Sequence, residues 1–382
     1  MNDIATLARN HVDLLPAGRL EEKLALGRPL RVKLGIDVTS PDIHIGRAIP
    51  LQRMRAFQDA GHIGVLIVGD YTTRIGDPSG RSAERPILSD AEIDRNAQTY
   101  VDQALKILDE ERTEVRFNGE WLAKLGFADI VRLTRTLTVA QLLERDDFAK
   151  RVGAGQPVSV SELLYPLMQA YDSVAVEADI ELGGTDQLYN LLAGRTVMQA
   201  YGLEPQIVLT TPLLLSWDGT KMSSSAGNNI SLTAGPDEQF GRTMRIPDSL
   251  LEDWYRLVVE QPAPSIEPMD AKLELARFIV RRSHGDDAVA AAEAHFTRVV
   301  REGGSPEEVA EVALPDGEPV HLPALLAAAF GLSTSEARRM IDQGGVKVNG
   351  TAVASLDLGR AELEGALVQA GKRRFVRIAV TD

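Results

Sequence analysis

The sequence predicts an α/β protein: a buried, mostly parallel sheet, then a helical block, then a small α+β module. Three observations carry this. Five short apolar runs, at 30–37, 63–70, 112–117, 178–183 and 206–210, lie between stretches with helical spacing. The runs are nearly continuous rather than alternating, as strands covered on both faces must be. From residue 236 the strand pattern gives way to helical spacing, and a polar Gly/Pro-rich stretch at 301–318 sets off the tail.

Residues 1–29 read as helical and peripheral. The first strand ends at Asp37, and Thr39 to Asp42 make a turn. His44-Ile-Gly-Arg47 then opens a helix whose apolar residues run from Ile49 to Phe57. A strand thus delivers a polar loop to a helix N-terminus, where free backbone N–H groups favour an anion. Gly46 permits close backbone approach, His44 can donate to a phosphate oxygen, and Asp37 can accept from a hydroxyl or amine. The second strand leaves into a polar loop, 71–85, that gathers Thr72, Asp77, Arg81 and Arg85 near one sheet edge. Residues 90–110 and 119–150 read as inserted helices.

Tyr165, Gln169 and Asp172 stand at i, i+4 and i+7, on one face of the next helix. Such a row is either a satisfied polar seam or the lining for a small, polar-ended ligand. Gly183-Gly184-Thr185-Asp186-Gln187 follows a strand and precedes a helix, so its side chains fall where open α/β sheets bind ligands. Asp218-Gly-Thr-Lys221-Met-Ser-Ser-Ser225 is a Gly/Ser loop carrying one lysine. Residues 236–300 read as mostly helical, broken once by Pro262, Pro264 and Pro268. The tail predicts a helix over 322–330, a capping box from Ser333 to Glu336, a second helix stopped by Gly344, a strand and turn at 346–351, and a last strand over 374–380.

Composition sets bounds. With 382 residues and 44% hydrophobic content, the chain can build two or three domains with large cores. It has no cysteine, which excludes a disulfide framework and a thiolate zinc site. Its six histidines are scattered, so no metal cage is expected. Neither a signal peptide in Met1 to Pro16 nor a membrane-length apolar run is present, and the expectation is a cytoplasmic protein. Net charge is −14, against general nucleic-acid binding. Yet 319–382 holds eight basic and six acidic residues, +2, leaving −16 elsewhere. A basic module on an acidic body suits a local RNA contact.

The His-Ile-Gly-Arg47 and Lys221-Met-Ser-Ser-Ser stretches resemble the two ATP-site elements of class I aminoacyl-tRNA synthetases. The Tyr165/Gln169/Asp172 row and Gly-Gly-Thr-Asp-Gln resemble those of bacterial tyrosyl-tRNA synthetases, and the tail resembles an S4 domain. The resemblance implies a Rossmann-like parallel sheet catalytic domain over 1–220 with a helical insertion at about 90–160. A loop and helical domain over 221–312 and an S4-like RNA-binding domain over 319–382 would follow. It implies a tyrosine–tRNA ligase whose substrates are L-tyrosine, ATP with Mg2+ and tRNA(Tyr), with no permanently bound cofactor, acting as a homodimer.

By the same resemblance, His44 and Lys221 are catalytic. ATP falls to Asp37, Thr39, His44, Gly46, Arg47, Gly184, Asp186, Lys221, Ser223 and Ser224, and pyrophosphate to Arg81 and Arg85. Tyrosine falls to Asp77, Tyr165, Gln169, Asp172 and Gln187, with Asp172 reading the phenol. RNA falls to Arg338, Arg339, Lys347, Lys372, Arg373 and Arg374.

Arg47 stands where the family has a second His, Ser224 where it has a second Lys, and Val38 where it usually has a Pro; Lys33 stands where many members have a pocket Tyr, in a Lys-Leu-Gly stretch that resembles one bacterial branch. The first two departures keep open a catalytically weakened paralogue acting as an RNA-binding or regulatory protein. A tryptophan-specific enzyme is a third reading, which the polar helix face and the S4-like tail oppose.

Overall fold

The computed structural model describes residues 3–77, 88–301, 310–315, 317–371 and 374–379. These fall into two compact units, residues 1–234 with 242–275, and residues 235–241 with 276–382.

The first unit is built on a six-stranded sheet of β1 (Leu14–Leu15), β2 (Arg31–Ile36), β3 (Ile63–Val68), β4 (Thr113–Phe117), β5 (Ile180–Gly184) and β6 (Ile207–Thr211), in the order β1-β6-β5-β2-β3-β4. All neighbours are parallel except β1 with β6. The five predicted strands are all present, each within a residue or two of its expected ends. One expectation fails: residues 1–29 are not merely peripheral. Leu14 and Leu15 extend the sheet at its edge, and Leu7 and Leu20 are buried in its core. A two-residue strand beside a central one has no periodicity to announce it.

Alternation along the strands divides the packing. Val32, Leu34, Leu66 and Val68 face Leu51, Met54 and Phe57 of α1 (Ile45–Asp59), while Val65 and Ile67 pack with Val176 and Ala178 on the other side. α2 (Asp90–Ala104) crosses between β3 and β4, and the stretch predicted as helix at 119–150 is broken into short helices such as Phe127–Thr134 and Asp146–Gly153. α3 (Val160–Ala175) starts at a full capping box. Ser159 Oγ accepts from Glu162 N, and the Glu162 carboxylate accepts from Ser159 N at 2.9 Å. α4 (Leu188–Ala200) follows β5 and packs against α3.

In the second unit, Thr351–Ala352, Val346–Val348, Leu367–Ala370, Arg374–Ile378 and Glu311–Val312 form a sheet in that order. Helices Leu322–Phe330 and Thr334–Asp342 share its core through Leu325, Leu326, Ala337 and Ile341. The predicted capping box there is only half formed. Ser333 Oγ accepts from Glu336 N at 3.1 Å, but no return bond from Ser333 N to Glu336 occurs among the described residues. Gly344 takes φ +69° just past the helix end, as a stop residue should.

Candidate active site

At the carboxyl ends of β2, β3 and β5 the first unit holds a cavity of about 1010 Å³. Asp172 and Asp77 both line it, so the two carboxylates assigned to one ligand share a single hollow. Asp37, Thr39, His44, Gly46, Arg47, Tyr165, Gln169, Gly184, Asp186, Gln187, Lys221, Ser223 and Ser224 line it as well. Arg81 and Arg85 lie outside the described residues.

Asp172 is 3% exposed. Its Oδ1 accepts from Trp121 Nε1 at 2.8 Å and its Oδ2 from Asn118 Nδ2 at 3.3 Å. Burial pushes its pKa up to about 7, with Lys33 and these donors pulling the other way. Asn118, at the end of β4, also accepts from Tyr71 N and donates to Thr72 Oγ1. Tyr165 donates its hydroxyl proton to Asp37 Oδ2 at 3.0 Å, while Thr72 donates to Oδ1 at 2.8 Å. The phenol oxygen keeps lone pairs for a ligand donor. Burial, and then the Asp37 charge, hold its pKa well above the ordinary tyrosine value.

Gln187 Nε2 donates to Asp77 Oδ2 at 2.9 Å, and Arg145 Nη2 sits 3.3 Å from Oδ1. Asn190 Nδ2 ties Gln169 Oε1 and Gln187 Oε1 together, each at 3.0 Å. Sequence reasoning missed Asn118, Trp121, Arg145 and Asn190. The first two follow β4 in an Asn-Gly-Glu-Trp stretch, a strand end of the kind that marks ligand sites. Of the other two, Arg145 is the N-cap of the short helix Asp146–Gly153 and Asn190 lies on α4, and no residue pattern flags either.

His44 is the N-cap of α1. Its Nδ1 accepts from Arg47 N at 3.3 Å, so the neutral ring carries its proton on Nε2. Burial, with Arg47 and Lys221 nearby, lowers its pKa to about 3. Pro50 offers no N–H to the Gly46 carbonyl one turn back, at the cavity wall. The strap 43–45 is pinned by Ile45 N to Ile230 O at 3.0 Å and Leu232 N to Ile43 O at 2.8 Å. A Cβ at Gly184 would come within 2.7 Å of Asp186 Oδ1 and 2.8 Å of Leu213 Cδ2, so any side chain there would push both aside.

Lys221 lies on an exposed turn that Gly219 allows with φ +75°. Its Nζ pairs with Asp186 Oδ2. Met222 anchors the turn, 2% exposed, and Asn228 braces it by accepting from Ser223 N at 2.8 Å and donating to Asp218 Oδ2 at 2.9 Å. At two of the departures from the family pattern, Arg47 Nη1 and Ser224 Oγ are buried without a hydrogen-bond partner.

In the second unit Arg338, Arg339, Lys347 and Arg374 are all exposed, while Lys372 and Arg373 lie outside the described residues. Among the described residues no group of acidic residues and histidines is arranged to hold a metal, and no helix is long and apolar enough to cross a membrane.

The cavity thus brings together a buried carboxylate, several side-chain acceptors, and a histidine and lysine beside a helix N-terminus. Comparison with known proteins gives the family. Residues 25–300 match the model of class I tRNA synthetases (W and Y), and residues 322–356 match the S4 domain. The tyrosine–tRNA ligase of Thermotoga maritima is 45% identical, covering 98% of this chain and 97% of its own length. That of Haemophilus influenzae is 44% identical, covering 98% and 96%. The fold is that of tyrosyl-tRNA synthetases: the Archaeoglobus fulgidus enzyme, solved with L-tyrosine, superposes with a TM-score of 0.62 at 20% identity over 76% of this chain and 98% of that one. The chain belongs to the class I tRNA synthetases, within the tyrosine–tRNA ligase family.

Proposed function

We propose that the cavity activates L-tyrosine with ATP and that the chain then esterifies tRNA(Tyr), in keeping with the ligase family to which it belongs. The observation that carries the choice of amino acid is Asp172. An acceptor this deeply buried, fixed by Trp121 and Asn118, asks its ligand for a hydroxyl proton. Phenylalanine would leave its remaining lone pairs unmatched, a penalty a hydrophobic pocket cannot impose. Tyrosyl-tRNA synthetases are themselves the established example of such rejection, at about 10⁵ against phenylalanine for the class. Tyr165, Gln169 and Asp77 accept from the ammonium, and Gln187 donates toward the carboxylate.

In the first step a tyrosine carboxylate oxygen attacks the α-phosphorus of ATP. The bond to the β-phosphate bridging oxygen breaks, and pyrophosphate leaves with that electron pair. In the second, the terminal ribose oxygen of the tRNA attacks the acyl carbon and AMP leaves. No side chain becomes covalent, so catalysis is positioning and charge stabilisation. His44 donates from Nε2 to a phosphate oxygen, and its low pKa keeps that role unchanged across neutral pH. Lys221 leaves Asp186 for the phosphates, freeing Asp186 to accept from the ATP ribose beside Gly184. Asp37, Thr39, Gly46, Arg47, Ser223 and Ser224 complete the nucleotide wall, and Arg81 and Arg85 follow the pyrophosphate. Magnesium arrives with ATP, held by phosphates and water.

Three functional parts are proposed: catalysis by 1–220, loop and helical support by 221–312, and tRNA contact by 319–382 through Arg338, Arg339, Lys347, Lys372, Arg373 and Arg374. Helix Phe127–Thr134 exposes Phe127, Ile130 and Val131, an apolar patch that supports a homodimer working in the cytoplasm. The weakened-paralogue reading gains nothing from the relatives, which carry the ligase name. The test is pyrophosphate exchange: ATP labelled in a tyrosine-dependent way, and not with tryptophan or phenylalanine, is expected. Equal exchange with phenylalanine, or none with tyrosine, overturns the proposal.

A further inference from the structure

We propose that a buried ion pair beneath the pocket, Lys33 with Glu181, is a positioning device that decides which end of the Gln169 amide meets the substrate ammonium. Lys33 and Glu181 are register partners on β2 and β5, and neither is exposed to solvent. Lys33 commits all three ammonium protons, to Glu181 Oε1 at 2.8 Å, Ser173 Oγ at 2.7 Å and the Gln169 carbonyl at 2.9 Å. Glu181 Oε1 then accepts from Gln169 Nε2 at 3.1 Å, and Oε2 from Gln206 Nε2.

An ionised carboxylate only accepts. It can therefore bind only the NH₂ end of the Gln169 amide, since a flip would set two acceptors face to face. The carbonyl end is left over for acceptor work. It takes Asn190 Nδ2 at 3.0 Å and keeps a second lone pair. Gln169 lines the cavity, so the end available to an ammonium is the one that can accept it. Lys33 makes this possible by setting its ammonium 2.8 Å from that carboxylate, the pairing that a buried charge requires. The residue that departs from the family's pocket Tyr thus acts through Glu181 and Gln169 rather than by touching the phenol.

This rests on the reading that Gln169 binds the ammonium. Two competitive inhibitors separate the parts: tyramine, which keeps the ammonium and phenol, and 3-(4-hydroxyphenyl)propionate, which lacks the ammonium. Glu181→Gln removes the charge that orients the amide. The double variant Lys33→Met/Glu181→Leu removes the pair, a replacement buried ion pairs often tolerate. In both, tyramine is expected to weaken about tenfold, the scale of one hydrogen bond to a charged group. The propionate and the KM for ATP should hold within about twofold, well below that scale.

A folded double variant with unchanged tyramine binding overturns the proposal. So does equal weakening of both inhibitors, which marks a loosened pocket. Failure of both variants to fold, read by thermal melting, assigns the pair to structure and also overturns it. Gln169→Leu distinguishes the underlying reading: if it leaves tyramine binding intact, Gln169 does not hold the ammonium. If it weakens tyramine while the Glu181 variants do not, only the positioning role fails.

Discussion

At the end of the cavity proposed for the amino acid, Asp172, Tyr165 and Gln169 sit on one helix and are held by partners that are themselves largely buried. At the end proposed for the nucleotide, Lys221 rides on an exposed turn and is held by an ion pair to Asp186. The Lys221 side chain is 52% exposed, and an exposed pair is worth about 0–1 kcal/mol. A triphosphate can displace it at little cost. Both oxygens of Asp172, by contrast, are committed to donors in a site of low dielectric, where an unmatched group costs about 1–3 kcal/mol. On the proposed reading, selection is built into the rigid end, and the charge that follows the reaction sits on the exposed one.

Two substitutions would break this contrast most directly. Lys221→Ala should slow adenylate formation by on the order of 10²–10³ while tyrosine affinity, measured at equilibrium, stays within about twofold. Equal loss of both would mean that the two ends are not separable. Asp172→Asn should do the reverse. It should cut the preference for tyrosine over phenylalanine in pyrophosphate exchange by about 10² and change the KM for ATP little.

The same variant has a pH signature. The Asp172 pKa is raised, to about 7, so the native state favours the protonated form. Its contribution to stability is full below the unfolded carboxylate range near pH 4 and is lost as pH rises through 7. Asp172→Asn should accordingly melt higher than the parent at pH 8, by on the order of 1–2 kcal/mol, with the gap closing toward pH 4. His44 works in the opposite direction, since its lowered pKa makes the fold lose stability as pH falls from about 6.5 toward 3. A gap that does not shrink as the pH drops would contradict the burial argument for Asp172.

The sequence exposed one end of the site more fully than the other. Tyr165, Gln169 and Asp172 could be placed on one face because helical spacing translates directly into direction. Asp37 could be placed at a strand end, Asp77 on the loop that leaves the next strand and Asp186 in the turn after another, because apolar runs mark where strands stop. What supports these residues was not legible. Asn118 and Trp121 reach Asp172 from just past the end of β4, Arg145 reaches Asp77 from the N-cap of a short helix in the insertion, and Lys33 meets Glu181 only because β2 and β5 are neighbours in a particular register. Those contacts depend on strand order, and strand order leaves no local trace. The β1 edge and the half-made Ser333 cap were missed for a related reason. Two-residue pairing and side-chain rotamers lie below what spacing can report.

The RNA assignment sets the catalytic unit against the tail. Arg338→Gln/Arg339→Gln should raise the KM for tRNA by about tenfold and lower the salt slope of tRNA binding by about 2, one for each phosphate that no longer meets a cation. Pyrophosphate exchange should be unchanged. An unaltered slope would mean that those exposed arginines are an ordinary solvated face.

The smallest expected effect probes the rigid end through its backbone. Gly69, just past β3, lies so close to Asp37 and Thr72 that a Cβ would come within 2.4 Å of both Asp37 Oδ1 and Thr72 Oγ1. Those atoms are hydrogen-bonded to each other at 2.8 Å, and Asp37 Oδ2 in turn fixes the Tyr165 hydroxyl. Gly69→Ala must push the pair apart and tilt the proton that Tyr165 now gives to Asp37. The KM for tyrosine should then rise by about three- to tenfold, a partial loss of one hydrogen bond to a charged group. The rate at saturating tyrosine should fall less, because the Tyr165 contact is made before the transition state as well as in it. A change confined to the KM for ATP would show that Asp37 serves the nucleotide alone, and the chain from Gly69 through Asp37 to Tyr165 would have no part in holding the amino acid.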